Sequence, residues 1–262
     1  MNTPRLSASA YSNTAPLVWS FLYGSNHGKV ELILDNAPSR SAQLLDQDRV
    51  DVALVPVICA QTIDGVRIIA DVCVGSKQRV RSVCLVTNGC DLTDVTSVAL
   101  DTSSRTSVVL TKMIFREFYG FEPEWIGAEP DLTAMLANAD AALIIGDPAL
   151  AITASSDRAH FDLAELWHRH TGLGFVFAMW MTRRAACAID LAGARDEGLT
   201  HVPQIAANYA AQIGLSPADM ADYLTDNITY SPDGSMMSGL KLYFELAAKH
   251  GLIVENRPLQ FI

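Results

Sequence analysis

Three short polar segments share a form that suits the binding of a small anion. Each follows an extended or apolar stretch and opens a helical pattern: residues 11–17 (YSNTAPL), 103–107 (SSRTS) and 146–148 (GDP). The first turn of a helix carries unpaired N–H groups and about half a positive charge, so each segment could hold a carboxylate. Ordinary capping explains any one of them alone, whereas three in one chain favour a shared ligand site.

The side chains in these segments are mostly neutral hydrogen-bonding groups. Asn13 has the side chain of a helix N-cap, and Pro16 suits a first turn, where its missing N–H is harmless. Arg105 stands as a cation among hydroxyls, and Pro148 again suits a first turn. In an open α/β sheet such helix starts gather beyond the carboxyl ends of the strands, where ligands bind.

The sequence carries none of the common motifs for metal or nucleotide binding. It has no H-E-x-x-H pair, no clustered Cys/His set and no G-x-S-x-G elbow. Residues 172–174 (GLG) do not extend into G-x-G-x-x-G, and no Walker sequence occurs. The motifs therefore indicate neither a metal site nor a nucleotide cofactor.

The charge balance narrows the class of partner. The 19 Lys and Arg residues against 29 Asp and Glu give a formal net charge of -10, which argues against nucleic acid and an anionic membrane surface. No window approaches the roughly 18 apolar residues that span a bilayer, and the N-terminus lacks the pattern of a signal peptide. The five cysteines form no C-x-x-C pair, as expected of free thiols in a reducing compartment. We expect a cytoplasmic protein that binds a small molecule.

Short apolar runs alternate with helical patterns, which is typical of an α/β fold. Half of the residues are hydrophobic, enough to bury a sizeable core. Buried strands are predicted at residues 50–57, 82–87, 97–100, 141–145 and 175–181. Beyond them the chain is predicted to be mostly helical, through residues 202–213, 217–225 and 239–250.

Two of these strands suggest how the chain divides. With no linker or internal repeat in view, the strands at 82–87 and 175–181 could be the crossings between two lobes. We predict a discontinuous first lobe of residues 1–86 and 183–262. The second lobe is predicted to span residues 87–182, with a central cleft between the two.

Five segments between residues 9 and 180 resemble the signatures of one family. Residues 11–17 resemble a Y-x-N-x-x-P-L signature, and residues 81–83 (RSV) resemble a serine at the start of a strand. The others are residues 101–108 (DTSSRTSV), similar to an S-R-T-S-V helix start; residues 141–150 (AALIIGDPAL), similar to I-G-D-x-A-L; and Trp167 with residues 171–178 (TGLGFVFA), similar to W-x-x-x-T-G-L-P-F-V-F-A. Gly174 stands where that family usually has proline. The family is that of the chorismate dehydratases, in the futalosine route to menaquinone.

The resemblance implies the two-lobe fold of type II periplasmic binding proteins. It also implies a lyase that converts chorismate into 3-[(1-carboxyvinyl)oxy]benzoate and water without a metal or an organic cofactor. Asn13 and Ser82 match the family's active-site asparagine and serine. No His or Glu stands in a signature position, so the enolpyruvyl carboxylate of the substrate is a plausible base.

Substrate-binding residues follow from the same resemblance. Ser104, Arg105 and Thr106 are expected to hold a carboxylate at their helix start. Gly146 and Asp147 are expected at the substrate site, with helix capping an equal alternative for Asp147.

Other functions stay open at this point. A non-catalytic solute-binding protein could use the same cleft, although its usual forms are exported. The sister enzyme 1,4-dihydroxy-6-naphthoate synthase has a similar fold but carries a His-Glu pair where Gly146 and Asp147 stand here. A regulatory sensor is disfavoured by the acidic balance and by the lack of a recognisable DNA-binding segment. The oligomeric state cannot be derived from the sequence.

Overall fold

The computed structural model describes residues 3–155 and 158–262, so residues 1, 2, 156 and 157 of the predicted lobes lie outside it. Within the described residues, ten strands form two five-stranded mixed sheets with helices packed around them. The strands are β1 (Arg5–Ser9), β2 (Glu31–Asp35), β3 (Val52–Pro56), β4 (Arg67–Ser76), β5 (Val83–Thr87), β6 (Ser97–Asp101), β7 (Glu124–Ala128), β8 (Ala141–Ile145), β9 (His160–Asp162) and β10 (Phe175–Thr182). The α-helices are α1 (Ala15–Leu22), α2 (Pro38–Asp46), α3 (Cys59–Thr62), α4 (Thr106–Met113), α5 (Leu132–Asn138), α6 (Gly146–Ser155), α7 (Leu163–Thr171), α8 (Leu191–Leu199), α9 (Val202–Ile213), α10 (Pro217–Asp222) and α11 (Gly234–Lys249).

The first sheet has the strand order β2-β1-β3-β10-β4. β1 is parallel to β2 and β3, whereas β10 runs antiparallel to its neighbours β3 and β4. Every residue of β3 is buried, as expected of a strand covered on both faces. Because β1 and β3 are parallel, the segments that follow Ser9 and Pro56 leave the sheet at the same end, beyond the carboxyl ends of these strands.

The second sheet has the strand order β7-β6-β8-β5-β9. β6 is parallel to β7 and β8, and β5 is antiparallel to β8 and β9. The segments that follow Asp101 and Ile145 therefore leave at one end. The antiparallel β5 begins at that same end of the sheet, because its first residue, Val83, pairs with Ile145, the last residue of β8.

Each of the two predicted crossing strands, β5 and β10, belongs to a different sheet from the one that the predicted lobe boundaries imply. β10 is in the first sheet, between β3 and β4, although residues 87–182 were predicted to form the second lobe. β5 is in the second sheet, although residues 1–86 were predicted to belong to the first. An apolar run identifies a crossing strand but does not reveal which sheet supplies its hydrogen-bond partners. We propose instead that the chain crosses just before Ser82 and just before Phe175.

The C-terminal helices match the sequence in part. α9 spans the predicted residues 202–213. α11 begins five residues earlier than predicted, since the side chain of Asp233 accepts a 2.9 Å bond from the N–H of Met236 and caps the helix there. The predicted helix over 217–225 changes its winding midway: α10 continues as a π-helical segment, Tyr223–Asn227. No helix of the described chain is long and apolar enough to cross a membrane.

Candidate active site

A cavity lies between the two sheets, at the ends where the polar segments leave them. Its lining combines neutral polar groups with an apolar wall, and its volume is about 70 Å³. Ligand pockets usually measure about 300–1,000 Å³, so the cleft is closed in this structure and has to widen to admit a substrate. The polar lining comprises Tyr11, Asn13, Thr14, Ser82, Ser104, Thr106, Ser107 and Gly146, and the apolar lining comprises Pro38, Leu54, Pro56, Val74, Val83, Ile145, Phe177 and Ala178.

A roomier cavity lies at the opposite end of the first sheet, near Arg5 and Arg184. Both arginines are already paired there with Asp51. In an α/β sheet, ligands bind beyond the carboxyl ends of the strands, whereas this cavity lies where β1 and β3 begin. The cavity between the sheets is therefore the candidate active site.

Asn13 reaches this cavity from a 3₁₀ turn, Ser12–Thr14, that runs directly into α1. The prediction that Asn13 caps the helix is wrong, because Thr14 holds the cap position and makes no side-chain capping bond. The Asn13 Oδ1 accepts a long, 3.4 Å bond from the Thr14 hydroxyl. Freed from capping, the amide of Asn13 is available to a ligand.

Ser82 reaches the cavity from the second sheet, just before β5. It is fully buried, and its hydroxyl donates a long, 3.5 Å bond to the Val80 carbonyl. Arg81, directly before it, has a φ of +63°, in the left-handed region that residues with a side chain seldom adopt. Ser82 is therefore presented by an unusual turn that something else must hold.

The carboxylate of Asp162 holds that turn. It accepts bonds from the N–H of Val80 at 3.1 Å and of Arg81 at 2.5 Å. It also accepts two bonds, of 2.9 and 3.1 Å, from N–H groups in the first turn of α7. Burial raises the pKa of Asp162, and the N–H of Arg81 opposes that rise. One buried side chain thus ties the loop before Ser82 to a helix that packs on the second sheet.

Ser104 and Thr106 line the cavity at the start of α4. The Thr106 hydroxyl accepts a 3.4 Å bond from the N–H of Ile58, and its carbonyl accepts a 3.2 Å bond from the hydroxyl of Tyr243. Both donors come from segments outside the second sheet. These bonds fix the helix start against elements that adjoin the first sheet, with its first-turn N–H groups left for a ligand.

Arg105 does not line the cavity, although it was predicted to bind a carboxylate there. Its guanidinium lies beside the thiol of Cys59 in α3. Burial raises the pKa of that thiol to about 11, and the charge of Arg105 opposes the rise. Because Ser104 and Thr106 face the cavity, the side chain between them is directed to α3 instead.

Gly146 and Asp147 connect the start of α6 to the segment around Asn13. Gly146 has a φ of +68°, and a Cβ added there would lie 2.7 Å from the ring of Tyr11. Asp147 does not line the cavity; its carboxylate accepts a 2.5 Å bond from the Ser12 hydroxyl and bonds of 3.1 Å from the Ser12 N–H. We call these two contacts, Tyr11 with Gly146 and Ser12 with Asp147, the cleft latch.

The electrostatics of the cavity are those of neutral donors. Among the described residues, no Lys, Arg or His side chain lines it. Burial raises the pKa of Asp101 and of Asp147, which lie near it. Burial and these two carboxylates raise the pKa of Tyr11 to about 12, so its hydroxyl stays protonated. An anion in this cavity would be bound by N–H dipoles and hydroxyls rather than by a cation.

The structure brings together five of the seven predicted site residues: Asn13, Ser82, Ser104, Thr106 and Gly146. Sequence reasoning did not identify the residues of the apolar wall, of which Phe177 is the largest side chain. β10 is apolar along nearly its whole length, so no alternation in the sequence marks Phe177 as a cavity residue. Within residues 3–155 and 158–262, no group of three or more His, Cys, Asp or Glu side chains could hold a metal ion.

Comparison with solved structures gives the fold a class. A protein of Archaeoglobus fulgidus has a TM-score of 0.72 at 18% identity, covering 95% of this chain and 98% of that one. The periplasmic aliphatic sulphonate binding protein of Escherichia coli has a TM-score of 0.64 at 17% identity, covering 98% of this chain and 92% of that one. These similarities confirm the predicted periplasmic-binding-protein fold.

Comparison of sequences gives the family. The family model described as menaquinone biosynthesis matches residues 4–249. The chorismate dehydratase of Thermus thermophilus is 31% identical over 261 residues, covering 90% of this chain and 92% of that protein. The chain therefore belongs to the menaquinone biosynthesis family and, within it, to the chorismate dehydratases.

Proposed function

We propose that this protein is a lyase that dehydrates chorismate to 3-[(1-carboxyvinyl)oxy]benzoate. One observation carries the proposal: Asn13 from one lobe and Ser82 from the other line a single cavity, together with the open start of α4. The relative from Thermus thermophilus is named for the same activity. The cavity's neutral donors and apolar wall suit a small dicarboxylate with a ring.

The reaction needs no oxidant or reductant. The ring C3–H bond and the C4–O bond break, the proton and the hydroxyl leave together as water, and the ring gains its third double bond. Aromatisation supplies the driving force. The protein has to orient the substrate and stabilise the leaving groups, which is catalysis by positioning rather than by a strong side-chain acid or base.

Four polar side chains of the cavity have a part in this scheme. The hydroxyls of Ser104 and Thr106, with the first-turn N–H groups of α4, hold one substrate carboxylate. The amide of Asn13 donates a hydrogen bond to the departing C4 hydroxyl. The hydroxyl of Ser82 orients the enolpyruvyl carboxylate beside the C3 hydrogen.

The substrate itself supplies the base in this proposal. The described residues that line the cavity include no His and no carboxylate side chain. The enolpyruvyl carboxylate is attached through the ether oxygen on C3, so it can reach the hydrogen on that same carbon. Phe177 and Leu54 form part of the apolar wall against which the ring packs, and this wall limits the water that would otherwise solvate the carboxylate.

The test is to mix purified protein with chorismate and to follow the reaction by ultraviolet absorbance and by mass. We expect loss of the substrate and gain of an aromatic enol ether lighter by one water. Binding of chorismate without turnover would favour a solute-binding protein instead. If the protein neither binds chorismate nor turns it over, the proposal is contradicted altogether.

The cleft latch predicts an effect on substrate affinity. Asp147→Ala removes the acceptor of both Ser12 bonds, so the closed cleft loses stability while the groups around the reacting atoms stay in place. We expect KM for chorismate to rise about tenfold with little change in kcat, as for loss of about 1.4 kcal/mol of binding free energy. Asp147→Asn keeps one acceptor oxygen and should lie close to wild type. A wild-type KM in Asp147→Ala would remove this role.

Chelation gives a second expected result. Dialysis against EDTA should leave kcat and KM unchanged, because the proposed chemistry uses hydroxyls, an amide and N–H groups alone. Metal content would be measured on the dialysed sample by mass spectrometry. Loss of turnover that returns on adding a divalent cation would contradict a cofactor-free reaction.

We propose a cytoplasmic location for this activity. The five cysteines are free in the structure, and Cys59, Cys73 and Cys84 among them are buried. Free thiols are the usual state in a reducing compartment.

The sister naphthoate-forming reaction receives no support, since Gly146 and Asp147 stand where that enzyme has its His-Glu pair.

A further inference from the structure

Tyr223 lies deep in the first lobe and has a hydroxyl that the scheme above does not use. Its side chain is fully buried. The hydroxyl has no hydrogen-bond partner among the described residues. Buried polar groups without a partner are rare in folded proteins, and each calls for an explanation.

The surroundings of Tyr223 connect it to the loop that presents Ser82. The guanidinium carbon of Arg81 lies 6.0 Å from the centre of the Tyr223 ring. From the same π-helical segment, the amide of Asn227 donates a 3.3 Å bond to the carbonyl of Arg79. Such π-helical turns occur frequently at functional sites. The segment therefore packs against the loop of residues 79–82.

The polar side chains beside the Tyr223 hydroxyl are those of Ser82 and Asn13. Burial raises the pKa of Tyr223, and Ser82 and Asn13 oppose that rise as nearby hydrogen-bonding groups. The contact is looser than a hydrogen bond in this state of the protein. Small shifts of Ser82 or Asn13 as a substrate enters would bring either side chain within bonding distance.

We propose that Tyr223 is a positioning residue that acts through Ser82 and Asn13. When chorismate is bound, the Tyr223 O–H donates to the Ser82 oxygen and the Tyr223 oxygen accepts from the Asn13 amide N–H, and so Tyr223 directs the Ser82 hydroxyl and the Asn13 amide toward the substrate. Tyr223 is not among the residues that line the cavity, so it touches the reaction only through these two. The inference rests on the proposed dehydration.

Tyr223→Phe tests this role, because it removes the oxygen and keeps the ring. Misplacement of reacting groups by about 1 Å costs up to about 100-fold in rate, so we expect kcat to fall about 30-fold with KM within about threefold of wild type. Removing a buried hydroxyl that has no partner should leave the melting temperature unchanged or raised. A purely structural role would give a lower melting temperature or a wild-type kcat.

Tyr230→Phe is the matched control. Tyr230 is also buried, and its hydroxyl likewise lacks a partner among the described residues. The groups that act on the Tyr230 hydroxyl are Tyr223 and Cys73, and neither Ser82 nor Asn13 is among them. We expect a wild-type kcat in Tyr230→Phe and a reduced kcat in Tyr223→Phe. That pair of results would show that the effect depends on where the hydroxyl lies, and not merely on the removal of a buried tyrosine hydroxyl.

Double-mutant cycles with Ser82→Ala and Asn13→Ala supply the decisive readout. If Tyr223 acts mainly through Ser82, adding Tyr223→Phe to Ser82→Ala should lower kcat further by no more than about threefold; if it acts mainly through Asn13, the same holds for adding it to Asn13→Ala. A full 30-fold loss from Tyr223→Phe in the wild-type, Ser82→Ala and Asn13→Ala proteins alike, or a wild-type rate in Tyr223→Phe alone, would overturn the inference while leaving the dehydratase proposal intact. An inactive wild-type protein in the same assay would overturn the dehydratase proposal, and this role of Tyr223 with it.

Discussion

Ser82→Ala and Asn13→Ala are each expected to fold normally and to lose about 100- to 1,000-fold in kcat, the loss typical of removing one preorganised hydrogen-bond donor. The Ser82 hydroxyl makes one long bond to the protein, and Asn13 accepts one long bond from its neighbour. Neither side chain therefore contributes much to the free energy of unfolding. Both line the cavity where the hydroxyl and the proton would leave.

The measurement is kcat and KM for chorismate, together with the melting temperature of each variant. Ser238→Ala and Asn138→Ala are suitable controls, because both residues are exposed and hydrogen-bond within their own helices. We expect wild-type rates in both controls. Wild-type rates in Ser82→Ala and Asn13→Ala would remove the catalytic assignments.

Asp162→Ala is expected to have the largest effect on stability. It takes the acceptor away from N–H groups in the loop before Ser82 and in the first turn of α7. Leaving several buried donors unsatisfied costs about 3 kcal/mol, after water replaces some of the lost bonds. At about 2–4 °C per kcal/mol for a chain of this size, the melting temperature should fall by roughly 6–12 °C.

Asp131→Ala is the matched control for this loss. Asp131 is an exposed N-cap that accepts one bond, 3.0 Å long, from the N–H of Ala134. Its loss should cost about 1 kcal/mol, in the usual range for an N-cap. In Asp162→Ala the N–H of Arg81 also loses its acceptor, so the turn that presents Ser82 is no longer held. Asp162→Ala should therefore lower kcat as well, whereas Asp131→Ala should not. Equal melting temperatures in the two variants would contradict the anchoring role of Asp162.

Much of the fold follows from local sequence patterns. The predicted strand over 141–145 and the predicted helix over 202–213 match β8 and α9, because an apolar run and a helical repeat are each set by nearby residues. The sequence did not reveal that β10 lies in the first sheet, and residues 87–182 were all predicted to belong to the second lobe. That property depends on pairing with β3 and β4, which lie more than 90 residues away, and no local pattern encodes it.

The site residues also fall into those that local sequence patterns identify and those that depend on distant elements. Asn13, Ser82 and Thr106 stand in recognisable segments, and the structure brings them to one cavity. Arg105 was predicted there because of its charge, yet its direction depends on α3, a separate element that places Cys59 beside it. Tyr223 gave no signal at all, since its importance arises from a π-helical turn that packs against the loop before Ser82.

A crystal structure of the Ser82→Ala protein with chorismate tests the central claim most directly. The claim predicts chorismate between the two lobes, with one carboxylate at the first turn of α4 beside Ser104 and Thr106. Its C4 hydroxyl should lie within hydrogen-bond distance of the Asn13 amide, and its ring should rest against Phe177. Chorismate bound at the Arg5 and Arg184 cavity, or its carboxylates paired with arginines away from α4, would contradict the account.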